Sequence, residues 1–411
     1  MLIQFKVANF RSFGSEVTLS LEAVKAFKEN EENVVEVGGY RLLRSAAIYG
    51  ANASGKTNFG KAVFFMRDFI LTSAGKNSVA EIAVEPFRLN AEYLGKPSLF
   101  EATFLLDGIT YRYGFEVARK EVCAEWLFRS SGPRNKEFRL FTRDHDGIDV
   151  SDDYAEGNGR EADTRNNALF LSTVDQRNGA IAHQIVKWFD EFFVLLRTPD
   201  ELLERLMATM LDNQEVHERV LNFIQQIDES IDDVFGGESQ SSADYLRDLS
   251  PEMAKVLNRP VTVRRKRSDG ATVDFDLDRE ESAGTKKILW LAAYLLGILE
   301  YGSVAFADEL EARLHPHLTR RLVRLFNSPK TNPKNAQLVF VTHDTNLLTY
   351  GGLRRDQVWF CEKNRKGSTD LYSLAEIKVR KGARFENDYI GGRYGAIPYF
   401  GNVAEVGGET K

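Results

Sequence analysis

Gly50-Ala-Asn-Ala-Ser-Gly-Lys-Thr57 stands directly behind the apolar run Ser45-Ala-Ala-Ile-Tyr49 and ahead of Phe59, Val63, Met66, Phe69 and Ile70, which recur at helical spacing. Two glycines four residues apart, then lysine and a hydroxyl, between a strand and a helix, form the pattern of a phosphate-cradling loop. The glycines let backbone N–H groups close around phosphate oxygens and the helix aims its positive end at them. Lys56 can then reach β and γ oxygens, and Thr57 can ligate Mg²⁺. The stretch therefore predicts strand, phosphate-sized loop and helix, with nucleotide as the expected ligand.

Outward from this loop, residues 1 to 24 read as two short strands joined at Phe10-Arg-Ser-Phe-Gly14. From Ile82 to Arg143 the pattern is antiparallel β, with a hairpin of 100–106 and 109–117 around Asp107-Gly108. The polar, glycine-rich segment Asp144 to Arg165 reads as a flexible loop. Between about Gly179 and Leu257 apolar residues such as Leu202-Leu203, Leu206-Met207 and Met210-Leu211 fall at helical spacing, which predicts a helical insertion. Beyond Arg259, two strands joined by a basic turn lead to an apolar helix from Thr285. Strands then alternate with helices: strands at 303–307, 337–341, 357–361 and 370–374, helices at 315–327 and 345–349. That alternation predicts a mostly parallel α/β core. The expected organisation is an N-terminal lobe over 1–178, the helical insertion over 179–258 and a C-terminal lobe over 259–411.

Composition narrows the classes. The 411 residues are 43% hydrophobic and carry 54 basic against 60 acidic side chains, a net charge of −6. Such a chain folds, and has no general attraction to nucleic acid or membrane. Cys123 and Cys361 are its only cysteines, too few for a disulfide framework or a cysteine-built zinc module. A reducing, cytoplasmic setting fits. The start lacks a signal-peptide pattern, and the longest apolar run, Ile288 to Leu299, falls short of the roughly 20 residues of a membrane span.

Three further strings carry chemistry. Ser303-Val-Ala-Phe-Ala-Asp-Glu309 is an apolar strand ending in two acids; beside a phosphate loop Asp308 would hold Mg²⁺ and Glu309 would orient and deprotonate a water. Glu281-Ser-Ala-Gly-Thr285 opens the apolar helix, so Ser282 and Gly284 could be an anion site or ordinary helix capping. Gln337-Leu-Val-Phe-Val-Thr-His-Asp344 ends a core strand with His343, a hydrogen-bond donor for a γ-phosphate.

In this order the strings resemble the ABC-type ATPase heads of the SMC, RecF and Old proteins, with Gly50 to Thr57 as Walker A, Glu281 to Thr285 as signature, Asp308-Glu309 as Walker B and His343 as switch histidine. The resemblance implies a P-loop NTPase head with an antiparallel β lobe, and ATP contacts from Gly50, Asn52, Ser54, Gly55, Lys56 and Thr57. It also implies Mg²⁺ at Thr57 and Asp308, catalysis by Glu309, His343 and Lys56, and a head-to-tail dimer in which Ser282 and Gly284 close over the other subunit's ATP. Phe5 to Phe13, Glu309 to Pro316 and Asn387 to Pro398 are similar to segments of RecF-like and abortive-infection ATPases of the RloA and AbiLi kind. That likeness implies a sensor ATPase of anti-phage defence controlling a partner effector encoded nearby.

There are departures. Glu281 and Ala283 stand where many ABC proteins have Leu and Gly, and no glutamine lies between Thr57 and Gln176 to form a Q-loop, whose place Pro86 to Asn90 takes. The alternatives are an Old-type nuclease, which the chain after His343 does not support for want of a fresh acidic cluster, a RecF-like DNA-repair clamp, and a nucleotide-gated scaffold with little turnover. The basic runs Arg264 to Arg267 and Lys378 to Arg384 read as solvated turns or as contacts to DNA or RNA phosphates. His315 and His317, with Glu309 and Glu311 nearby, read as structural rather than as a metal site, and Arg313, Arg320, Arg321 and Arg324 share a helix for i, i+4 pairing or a dimer surface rather than for DNA reading.

Overall fold

The computed structural model describes residues 1–195, 207–237, 259–312, 314–379 and 383–398. Leu202, Leu203, Leu206, Arg313 and part of the 378–384 run lie outside these residues.

Strands β1 (Leu2–Ala8) and β2 (Val17–Ser20), a small hairpin β3 (Val34–Val37) and β4 (Tyr40–Leu43), and then β5 (Ser45–Gly50) precede the helix Lys56–Thr72. The antiparallel lobe adds β6 (Ser98–Leu106), β7 (Ile109–Val117), β8 (Val122–Ser130), β9 (Phe138–Asp144) and β10 (Gly147–Val150), in the order β10-β9-β8-β7-β6-β1-β2. Its β6–β7 hairpin is the expected one: Asp107 and Gly108 both have positive φ (50° and 79°), the backbone that a two-residue turn of matching twist requires.

Five further strands join the earlier β5 in the central sheet. They are β11 (Phe193–Leu195), β15 (Val304–Ala307), β16 (Gln337–Val341), β17 (Val358–Lys363) and β18 (Thr369–Ser373), with β12 (Ile231–Gly236), β13 (Val261–Lys266) and β14 (Thr272–Asp276) forming a separate antiparallel sheet. The central order is β11-β15-β16-β5-β17-β18, parallel except for β18. Its middle strands are buried on both faces and read as unbroken apolar runs. Period-two alternation divides them between two cores. Ile48, Phe306, Val341 and Trp359 face the helix Lys56–Thr72 and the antiparallel lobe, whereas Tyr49, Ala307, Phe340 and Phe360 face the helices Ala283–Tyr301 and Pro316–Asn327. Gln337 ties the lobes together: its side chain accepts from Leu2 N and donates to the Leu2 and Leu43 carbonyls.

Three expectations change. The segment Asp144 to Arg165 is not a featureless loop: it holds β10 and a short helix Asp152–Gly157, with Tyr154 fully buried and the Glu156 carboxylate accepting from Ile181 N and Ala182 N. Its composition is polar because it caps and anchors. The described part of 179–258 contains the helices Ala180–Asp190 and Gln214–Gln225, as expected, and also two strands: β11 returns to the edge of the central sheet and β12 pairs with β13. Arg264, Arg265 and Lys266 lie on β13 rather than in a turn. Each member of that run is paired within the chain: Arg264 with Asp274, Arg265 with Glu281 and Asp228, Lys266 with Asp232, and Arg267 with Asp269. Among the described residues, no helix is long and apolar enough to cross a membrane.

Candidate functional site

Parallel pairing puts three loops at one edge. The register aligns Ala307 with Phe340 and Val341 with Ile48, so Asp308-Glu309, Thr342-His343 and Gly50-Ala51 all leave the carboxyl ends of adjacent strands β15, β16 and β5. Ligands of open parallel sheets bind in this crevice.

The loop 50–57 is held by its own chain at each glycine. Gly50 has φ 155°, and a Cβ there would lie 2.4 Å from the Cys361 carbonyl oxygen; Gly55 has φ 114°, and a Cβ would lie 2.2 Å from Thr369 Oγ1 and 2.7 Å from Ser12 Oγ. Thr369 Oγ1 donates to the Ser54 carbonyl at 2.7 Å, and Asn58 Nδ2 donates to Ser12 Oγ at 3.0 Å. Strand β18 and the turn at Phe10–Phe13 therefore hold the loop open as a backbone cradle. Thr369 and Ser12 carry no local signal for this role, because their contacts span hundreds and tens of residues respectively.

Lys56 is buried, and its Nζ donates to the carbonyls of Gly50 and Ala51, both at 2.8 Å. Burial lowers its pKa, an effect that the nearby Asp308, Glu309 and Glu311 oppose. The Ser54 hydroxyl is buried and has no hydrogen-bond partner among the described residues. A cradle that rejects side chains, an ammonium bent back on loop carbonyls and an unsatisfied buried hydroxyl together fit a polyphosphate. Thr57, in the first turn of the helix, and the buried Asp308 supply the hard oxygen donors that suit Mg²⁺.

Glu309 lies in left-handed backbone (φ 52°), a conformation that costs a non-glycine residue about 1 kcal/mol or more and is concentrated at functional sites. Leu310 N donates to the Val341 carbonyl, which fastens the turn to β16. The Glu311 carboxylate accepts from His343 N at 2.5 Å, so the loops after β15 and β16 are joined directly. His343 has a pKa below its ordinary 6.5, through burial first and then the Lys56 charge. It is therefore neutral at pH 7 and can donate one ring N–H.

The C-terminal segment reaches the same edge. Glu386 accepts from Thr345 and Thr349 just beyond His343, and the Tyr389 ring meets Tyr49 edge-on at 5.7 Å. Tyr49 OH donates to the Asp344 carbonyl. Glu386 carries no local signal in the sequence, whereas Glu311 lies in the string Glu309-Leu-Glu-Ala-Arg-Leu-His-Pro316. The segment Pro86 to Asn90 packs on the turn at 10–14: Phe87 is buried, its N donates to Asn9 Oδ1, and Arg11 pairs with Glu85.

Ser282 and Gly284 stand apart from this constellation in their contacts. Ser282 Oγ accepts from Thr285 N at 3.1 Å as the cap of the helix Ala283–Tyr301, and the hydroxyl is exposed. Among the described residues, a Cβ on Gly284 would meet nothing nearer than Ser282 Oγ at 3.8 Å. His315 caps the helix Pro316–Asn327 by accepting from His317 N, the structural role expected of it. Arg321 contacts Gln226 and the Phe223 ring, and Arg324 the Tyr350 carbonyl, so that helix face packs within the chain.

A family model described as AAA domain, putative AbiEii toxin, Type IV TA system matches residues 45–349. No curated protein matches the chain. Among solved structures, an SMC head bound to the C-winged helix domain of ScpA is 13% identical, with 92% of this chain and 98% of that one covered and a TM-score of 0.47. The SMC head domain from Thermotoga maritima is 15% identical over 92% of this chain and 99% of that one, with a TM-score of 0.43. The Smc head with a coiled coil and joint from Pyrococcus yayanosii is 11% identical over 90% and 96%, with a TM-score of 0.42.

Proposed function

The chain belongs to the AAA domain family described as putative AbiEii toxin of type IV TA systems, and from that membership we propose that it is an ATP-binding and ATP-hydrolysing switch that closes as a head-to-tail dimer. The observation that carries the reading is the convergence of the cradle at Gly50–Thr57, Asp308-Glu309 and His343 on the ends of three adjacent parallel strands. When bound, Mg²⁺ supplies charge compensation for the triphosphate. Gly50, Asn52, Ser54 and Gly55 present the loop to the phosphates, Lys56 turns its ammonium from the loop carbonyls to the β and γ oxygens, and Thr57 and Asp308 hold the metal. Glu309 takes the proton of the attacking water, and neutral His343 donates to the γ-phosphate.

Dimerisation is supported by Gly284. Among the described residues, a side chain there would meet only Ser282 Oγ, at ordinary contact distance, which supports an approach from outside. The nucleotide of a second copy is the partner that a serine hydroxyl and a helix N-terminus fit. The family description supports a place in a toxin–antitoxin or abortive-infection system, where the ATPase would act as sensor and regulator of an effector encoded nearby. The pairing of Arg264 to Arg267 with acids of the same chain weighs against the nucleic-acid-clamp alternative at that run.

The test is a pair of variants. Glu309→Gln keeps shape and removes the base, so ATP should bind, kcat should fall by roughly 10² to 10⁴, and an ATP-dependent dimer should accumulate in size measurements. Lys56→Ala should lose ATP binding in calorimetry and form no such dimer. Hydrolysis at the parental rate by Glu309→Gln, or an unchanged affinity in Lys56→Ala, sinks the assignment.

A further inference from the structure

The residue before the signature serine is a glutamate, and the structure gives it a partner. Strand β14 runs into the short helix Leu277–Glu280, capped by Asp276, and Glu281 follows in extended backbone just ahead of Ser282. The Glu281 side chain is only 7% exposed. Arg265, on the middle strand of the accessory sheet, donates from Nε and Nη2 to its two carboxylate oxygens at 2.6 and 3.0 Å. The remaining Nη1 donates to Asp228 Oδ2 at 2.8 Å and to Ser230 Oγ at 2.5 Å, in the turn behind the helix Gln214–Gln225.

One guanidinium thus grips two loops. Its neighbours do not: Arg264 pairs with Asp274 on the adjoining strand, and Arg267 with Asp269 in the hairpin turn. A bidentate fork fixes the plane of a carboxylate as well as its distance, which a single lysine ammonium cannot do. The helix Gln214–Gln225 is itself tied to the signature helix, through Arg219 to Glu300 and Asn213 to the Tyr301 hydroxyl.

We propose that Arg265 is a positioning residue for the signature loop, fixing Ser282 and Gly284 through Glu281 at the attitude in which they meet a second copy's nucleotide, and coupling that attitude to the turn at Asp228–Ser230. The proposal rests on the head-to-tail reading above. The carboxylate is the handle by which the accessory sheet holds the loop.

Mixed-chain ATPase measurements separate this role from simple stabilisation. Arg265→Met alone should bind ATP with parental affinity and lose at least about tenfold in kcat. A 1:1 mixture of Arg265→Met with Lys56→Ala should recover up to about a quarter of the parental rate, because about half of the dimers are mixed and each has one sound site. A mixture of Arg265→Met with Ser282→Arg should recover nothing, since both defects then fall on the signature. The control is Lys56→Ala with Ser282→Arg, which must complement. If it does not, the head-to-tail reading falls and the positioning role with it. If the control complements and Arg265→Met works at the parental rate, or recovers with Ser282→Arg rather than with Lys56→Ala, the positioning role alone is overturned. Should Arg265→Met fail to fold, Glu281→Gln, which keeps the side-chain shape, takes its place in the same set of mixtures with the same expected pattern.

Discussion

The loops Gly50–Thr57 and Glu281–Thr285 each bring a serine and a glycine to the start of a helix, Gly55 as its cap and Gly284 within its first turn, but their glycines answer to different surroundings. Gly50 and Gly55 have positive φ and lie against their own chain, where any side chain would strike the Cys361 carbonyl or Thr369 and Ser12. Gly284 has ordinary backbone, and among the described residues a side chain there would meet only Ser282 Oγ, at 3.8 Å. The first loop is completed by intramolecular packing, so its residues serve stability and binding at once. In the second, the glycine contributes nothing to the fold that alanine could not, which separates its use from its stability.

The largest effect expected is on the first loop. Gly55→Ala should destabilise the protein by about 3 kcal/mol or more, from left-handed strain and overpacking together, and abolish nucleotide binding; a denaturation midpoint near the parental value would break the contrast. The second loop should respond in the opposite sense. Gly284→Ala should leave stability unchanged or raise it by up to about 1 kcal/mol, through the better helix propensity of alanine, while ATPase activity falls about tenfold or more as the close approach is lost. Full activity in Gly284→Ala would return Ser282 to a plain helix cap.

The smallest effect sharpens the description of the closed first site. His343 has a folded pKa below 6.5, so the unfolded chain holds its proton to higher pH than the native one does. Stability should therefore rise with pH across the interval between the lowered value and 6.5, and this contribution should be level above it. Because Lys56 is the second cause of the shift after burial, Lys56→Ala should move the His343 titration upward when followed by NMR of the ring protons. A parental His343 titrating at or above 6.5, or no upward movement in the variant, would contradict the packing of these two side chains.

Local pattern made much of the site legible. Strand β5 and its helix, the Asp107-Gly108 hairpin and the strands ending at Asp308 and His343 follow from apolar period, turn chemistry and motif spacing, all readable within a few residues. The polar segment 144–165 misled for a physical reason. Its Glu156 and Tyr154 are polar residues used for capping and burial, and composition cannot distinguish a satisfied buried polar group from a solvated one. The basic run at 264–267 misled likewise: its acids lie on a neighbouring strand, in the turn beyond and in the signature loop.

Short-range covalent spacing and the alternation of strands with helices already define the glycine loop 50–57, the two acids, the histidine and the α/β order that brings them to one sheet edge. Which side chains support them follows from packing alone. Thr369 on the Ser54 carbonyl, Glu311 on His343 N, Glu386 on Thr345 and Thr349, and Arg265 on Glu281 are polar contacts between segments separated in the chain. Such a contact leaves no periodicity in either segment. It exists because burial in a packed fold requires each polar group to find a partner, and the partner is whatever residue the packing delivers.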